Sequence, residues 1–142
     1  MADLWPDDLT EVRTKAPVSV LREQATLLGA KTKNLVTAKL RDADALESIR
    51  REYGPFSFSF RLVAPALGGY QYRLFDATYD VSLYPVRVFL DDEIAKELEM
   101  KAGTPLVIES EDDLLSTLER VFKSAKTRQV IHAILAQSAA SK

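Results

Sequence analysis

The sequence predicts an α+β domain: a largely antiparallel sheet of three to five strands, with an N-terminal helix and two C-terminal helices packed mainly on one face. Three observations carry that expectation. Phe56, Phe58, Phe60 and Leu62 alternate with Ser57, Ser59 and Arg61, the period of two that a strand with one buried face imposes. Leu114, Leu115, Leu118, Val121 and Phe122 recur instead at helical spacing, as do Val18, Leu21, Ala25 and Leu28 near the other end of the chain. At 142 residues, with 46% hydrophobic and 28% charged side chains, the chain has the length and composition of one globular core.

Residues 1–16 mix Trp5-Pro6, aspartates and threonines without a period. They are expected to form an arm, free to dock through Trp5, ahead of a single domain at 17–142. Pro17 suits the first turn of a helix and Gly29 its stop. Residues 35–40 then alternate Val36, Ala38 and Leu40 against Thr37 and Lys39, as a short strand would. Asp42 is placed to cap a short helix carrying Leu46 and Ile49, closed by Gly54-Pro55.

After the Phe56 strand, Gly68-Gly69 supplies the backbone freedom of a reversal, and Tyr70, Tyr72 and Leu74 resume the alternation. From Phe75 the apolar parity shifts by one, through Ala77, Tyr79, Val81 and Leu83, which predicts a bulge or bend near Asp76. Pro85 marks a strand start, and Val86, Val88 and Leu90 continue the sheet. Asp91 or Asp92 can cap a short helix with Ile94 and Leu98 inward, a Glu97 to Lys101 pair outward and Gly103 past its end. Residues 104–109 form a brief strand. Ser110 followed by Glu111, Asp112 and Asp113 opens the next helix, whose stripe falls out of phase before Val130, Ile131, Ile134 and Leu135. A break at residues 124–127 therefore divides the C-terminal segment into two helices.

The same residues narrow the chemistry. With no cysteine and one histidine, disulfides, thiolate catalysis and cysteine or two-histidine metal sites are excluded, and no cofactor is expected. No apolar run reaches the length of a spanning helix and residues 1–20 lack a signal-peptide layout, so a cytoplasmic protein without a membrane partner is expected. His132 falls at the margin of a helical stripe with no partner fixed beside it, which suits a boundary residue better than a catalytic base. Asp76 and Asp80 would share one face of a strand and could hold a divalent ion, though acids on a solvated strand face explain them as well. Gly68-Gly69 has neither the lysine nor the strand-to-helix step of a phosphate cradle, and no serine sits in a GxSxG elbow. Catalytic and metal residues are accordingly assigned to none, and the balance leans away from an enzyme.

Charge is uneven beneath a net value of -2. Between Asp91 and Glu119 ten acids face only Lys96 and Lys101. Asp91, Asp92, Glu111, Asp112, Asp113 and Glu119 are the candidate contact residues for a basic protein partner. Lys31, Lys33, Lys39 and Arg41 form an acid-free run that could meet nucleic acid, but alternation sets Arg61 and Arg73 opposite the aromatic rings, unlike a base-stacking sheet. The leading expectation is a non-catalytic cytoplasmic protein-interaction domain, such as an immunity-like, antitoxin-like or accessory subunit. The alternatives are a nucleic-acid-binding module and a carboxylate-dependent metal-binding enzyme. A homo-oligomer built on Val130, Ile131, Ile134 and Leu135 is compatible with each.

Overall fold

The computed structural model describes residues 1–42 and 54–140; the short helix expected around Leu46 and Ile49 lies outside the described residues. Pro17 has no N–H to leave unpaired, and it opens helix α1 (Pro17–Lys31). The helix runs two residues past the expected stop at Gly29. Its end is made by Lys33 and Asn34, both at positive φ, with the Asn34 N–H donating to the Gly29 carbonyl at 2.9 Å. Thr32 Oγ1 donates towards the Leu28 and Val36 carbonyls at 3.1 and 2.7 Å, tying the turn to the next strand. Gly29 serves close approach instead, since a Cβ there would lie 3.0 Å from Asn34 Oδ1.

Five strands follow in the order in which they occur: β1 (Thr37–Asp42), β2 (Phe56–Ala64), β3 (Tyr70–Tyr79), β4 (Val86–Leu90) and β5 (Leu106–Ile108). Every neighbouring pair is antiparallel. β1 begins two residues later than the alternation suggested, because Thr32 to Val36 are used in leaving the helix. A single 3-10 turn (Pro65–Leu67) with Gly68 and Gly69 at positive φ closes the β2–β3 hairpin. The parity slip is a bulge: Phe60 pairs with Phe75 but Arg61 pairs with Arg73, leaving Leu74 as the extra residue, two positions before Asp76. The Leu74 carbonyl accepts the Asp91 N–H at 2.8 Å, so the bulge also anchors the chain after β4.

The helices α2 (Asp92–Glu97), α3 (Glu111–Phe122) and α4 (Ala125–Ala140) complete the chain. α2 is shorter than expected, ending through Glu99 at positive φ before Gly103 is reached; Leu98 is its cap, and Glu97 faces the N–H groups of Ala125 and Lys126 in place of Lys101. The C-terminal break falls at Lys123 and Ser124. Ser124 Oγ accepts the Thr127 N–H at 3.2 Å and donates to Thr127 Oγ1 at 3.0 Å, and Thr127 Oγ1 donates to the Val121 carbonyl at 2.8 Å.

The core lies between the sheet and the helices. Phe60 and Phe75 stack at 5.1 Å between ring centroids, Phe122 of α3 meets Phe60 at 5.4 Å, and Leu21, Ile94, Leu114 and Ile134 bring in α1, α2, α3 and α4. Burying such a side chain is worth roughly 1.5–3 kcal/mol over leaving it exposed. Two aromatic expectations are corrected: Phe56 and Tyr70 stand at opposite ends of the β2–β3 hairpin and are exposed, not part of the buried core. Val130 and Ile134 are buried in the core, which removes the centre of the proposed homo-oligomer stripe; Ile131 and Leu135 are half-buried against it. Trp5 does not dock on its own domain, being 73% exposed.

Candidate functional site: the α1–α3 cleft

Helices α1 and α3 each carry an adjacent leucine pair, Leu27-Leu28 and Leu114-Leu115. Neighbouring residues on a helix diverge by about 100°, so one stripe cannot centre both. The fold resolves each pair in the same way. Leu114 is in the core and Leu28 packs against it, while Leu27 and Leu115 remain 55% and 42% exposed. Both exposed leucines line a cleft of about 840 Å³ between α1 and α3. Phe60 and Leu62 of β2 form its floor, with Leu118 and Phe122 on the α3 wall and Ile131 of α4 closing one side.

The α3 wall follows directly from helix geometry: Leu115, Leu118, Glu119 and Phe122 are separated by three, four and seven residues and share one face. Gln24, Lys31, Glu119 and Lys123 form a polar rim. Lys123 Nζ donates to Glu119 Oε1 at 2.8 Å, and that contact holds the Glu119 carboxyl below its ordinary range. The cleft is thus an apolar trough bordered by a polar rim.

A second, shallower depression lies where α4 crosses the β2–β3 turn, between Leu67, Tyr70, Tyr72 and Lys126. The Tyr72 hydroxyl donates to Asp91 Oδ1 at 2.9 Å, and Lys126 sits 5.5 Å from the ring centroid while pairing with Glu93 at 2.5 Å. Burial, then the bond to Asp91, pushes the Tyr72 hydroxyl up to about 12. These contacts clamp β3, α2 and α4 together and give the depression a structural purpose.

The acidic candidates are divided among helix starts. Asp91 caps α2 by accepting the Glu93 and Ile94 N–H groups, besides its bond from Tyr72. Asp92 stands in the first turn of α2, with Glu111, Asp112 and Asp113 in that of α3. Glu111 accepts the Lys15 N–H at 3.3 Å and Asp113 the Glu109 N–H at 3.4 Å. Only Glu119 of the set borders the cleft.

The basic candidates are divided too. Lys31 and Lys33 stand at the end of α1, whereas Lys39 and Arg41 lie on edge strand β1, where Arg41 donates to Gln71 at 3.0 Å. The register sets Lys39, Arg61 and Arg73 side by side on the sheet face turned away from the cleft. Asp76 shares that face but is buried, 3.6 Å from Arg73 Nη1, with Ser57, Ser59 and Thr78 buried around it. β3 ends at Tyr79, so Asp80 is off the strand and exposed, its carboxylate accepting the Val81 N–H. The expected strand-borne carboxylate pair is thereby undone. Among the described residues no group of three or more histidines and acids is placed to hold a metal, and His132 is exposed on α4.

Leu27 lies outside the apolar stripe that periodicity assigns to α1, and Leu115 lies within that of α3 yet is exposed. The leucine pairs were the available signal, since each stripe was wider than one contact surface requires. Compared with known protein families, curated proteins and solved structures, the chain matches none.

Proposed function

We propose that the protein is a non-catalytic interaction domain whose α1–α3 cleft takes up an apolar stretch of polypeptide flanked by acidic residues. The observation that carries this reading is the pair Leu27 and Leu115, exposed on facing walls above an apolar floor. Large apolar side chains left facing one another across an open trough favour a ligand that brings apolar side chains of its own. Lys31 and Lys123 on the rim favour acids beside that stretch, with Glu119 moderating the second of them. The cytoplasmic setting and accessory-subunit role expected from the sequence belong to this same reading.

Peptide display against the intact protein, with a Leu27→Glu/Leu115→Glu counter-selection, tests it. Enrichment of peptides with apolar residues at helical or alternate spacing beside Asp or Glu, lost on the double variant, is the expected result. Equal capture by both forms sinks the cleft as the binding surface.

Nucleic-acid binding is a second reading, supported by the cross-strand row of Lys39, Arg61 and Arg73 with Arg41 beside it. Affinity for single-stranded oligonucleotides should then fall steeply with salt, and more gently in Lys39→Glu/Arg41→Glu. A salt-independent response excludes it.

A further inference from the structure

We propose that the cleft is filled by the acidic N-terminal arm of a second copy of this chain, so that two copies exchange arms and form a dimer. The inference rests on the reading of the cleft as a peptide groove and names its occupant. It begins from where unburied apolar surface has collected. Of the eleven exposed large hydrophobic residues among those described, five belong to the arm (Met1, Leu4, Trp5, Leu9 and Val12) and two to the cleft (Leu27 and Leu115). Leu4 is 90% exposed and Val12 85%, so this short segment has its apolar side chains almost entirely in water. The arm and the cleft therefore lack the same thing, and each can supply it to the other.

Charge matches as well. Asp3, Asp7, Asp8 and Glu11 are the only charged side chains of the arm before Arg13, which pairs with Asp8 at 3.9 Å and Glu11 at 3.3 Å. The cleft presents Lys31 at the end of α1 and Lys123 across from it on α3, the latter paired with Glu119. An apolar strip edged with acids thus meets a trough whose rim carries Lys31 and Lys123 against the single acid Glu119, which favours encounter and orientation.

The geometry points to a second copy over the arm's own cleft. Pro17 holds Ala16 extended, with ψ at 142°. The base of the arm is pinned at the N-terminal ends of α1 and α3, where the Lys15 N–H meets Glu111 at 3.3 Å and Lys15 Nζ meets Glu23 at 2.9 Å. With its base held there, the arm still leaves its own cleft unfilled, Leu4, Trp5 and Val12 staying exposed. A two-fold pairing with a neighbouring copy satisfies both clefts with both arms at once.

Trp5 is the only tryptophan, so its emission reports arm docking alone. The test follows that emission and the sedimentation mass of the intact chain from nanomolar to high-micromolar concentration. Expected are a rise from 15.9 kDa to twice that mass and a blue shift of Trp5 in step with it. Leu4→Asp in the arm and Leu27→Glu/Leu115→Glu in the cleft should each weaken dimerisation by about tenfold or more. All three positions are exposed, so the substitutions leave the core alone. Mixing the arm variant with the cleft variant should recover part of the association, because the mixed pair keeps one intact arm in one intact cleft.

A monomer at every concentration overturns the proposal. So does a blue emission that never depends on concentration, which would place the arm in its own cleft, or a dimer indifferent to Leu4→Asp. If only the arm substitution proves silent while the cleft substitutions still abolish peptide capture, the exchange fails and the groove stands. If the cleft substitutions change neither, both fail.

Discussion

Gly54 occupies a position that no side chain can share. Its φ is +146°, and a Cβ there would come within 2.2 Å of the Tyr79 carbonyl, a backbone atom at the end of β3 that cannot rotate away. Gly54→Ala is therefore expected to destabilise the fold by about 2 kcal/mol, the scale of a strained backbone position, with the urea midpoint shifted at unchanged slope. An unaltered midpoint would show that the start of β2 moves freely against the end of β3. The sequence marked Gly54 only as a stop signal, because a through-space clash with a residue 25 positions away leaves no trace in local pattern. Asp91 shows the same limit from the other side. Its helix-capping role was legible from the residues after it, but its bond from Tyr72 was hidden, since that contact depends on the strand pairing that delivers Tyr72 to α2.

Elements were legible wherever one period ran undisturbed. β2 and α3 each follow a single apolar period with a marked start, and both lie close to where pattern put them. Ends were harder, because they are made by hydrogen bonds that reach out of the element. α1 outlasts Gly29 since Thr32 and Asn34 close it, and α2 stops early since Glu97 is drawn to the N-terminus of α4. The junction of α3 and α4 was foreseen from a phase break, and its mechanism is the buried cycle of Ser124, Thr127 and the Val121 carbonyl. Ser124→Ala removes both the helix cap and the donor to Thr127 Oγ1, leaving only its bond to the Val121 carbonyl, and should cost about 1–2 kcal/mol by urea unfolding. Ser124→Gly spares the backbone preference of a cap but not the hydroxyl. A cost as large as that of alanine would assign the loss to the side-chain bonds, and a cost near zero would discard the cycle as a source of stability. The cleft was invisible at this scale: periodicity identifies an apolar face but not whether a neighbouring helix covers it, and Leu27 and Leu115 are the residues left uncovered.

Across the whole molecule, the seam between helix layer and sheet carries three phenols whose proton loss the fold resists. Tyr72 lies under α4 and Tyr79 beside the start of α1, while Tyr84 stands between β3 and β4 near Glu111. Burial raises all three, Tyr72 to about 12 with help from Asp91. The unfolded chain, with ordinary phenols near 10, releases these protons first, so raising the pH past that value favours unfolding. The stabilisation is fully present below pH 10 and is lost as the pH climbs through the raised values, ending near 12 for Tyr72. Phenolate absorbance should accordingly lag behind that of free tyrosine and then rise together with loss of helix signal, because ionising the seam and separating its layers are one event. In Tyr72→Phe the component near pH 12 should vanish, and the slope of stability against pH between 10 and 12 should become shallower, while neutral stability falls by about 1 kcal/mol for the lost hydrogen bond. Independent titration of the phenols, with the helix signal intact until all had ionised, would mean that the seam admits water without opening, and that sheet and helices do not unfold as a unit.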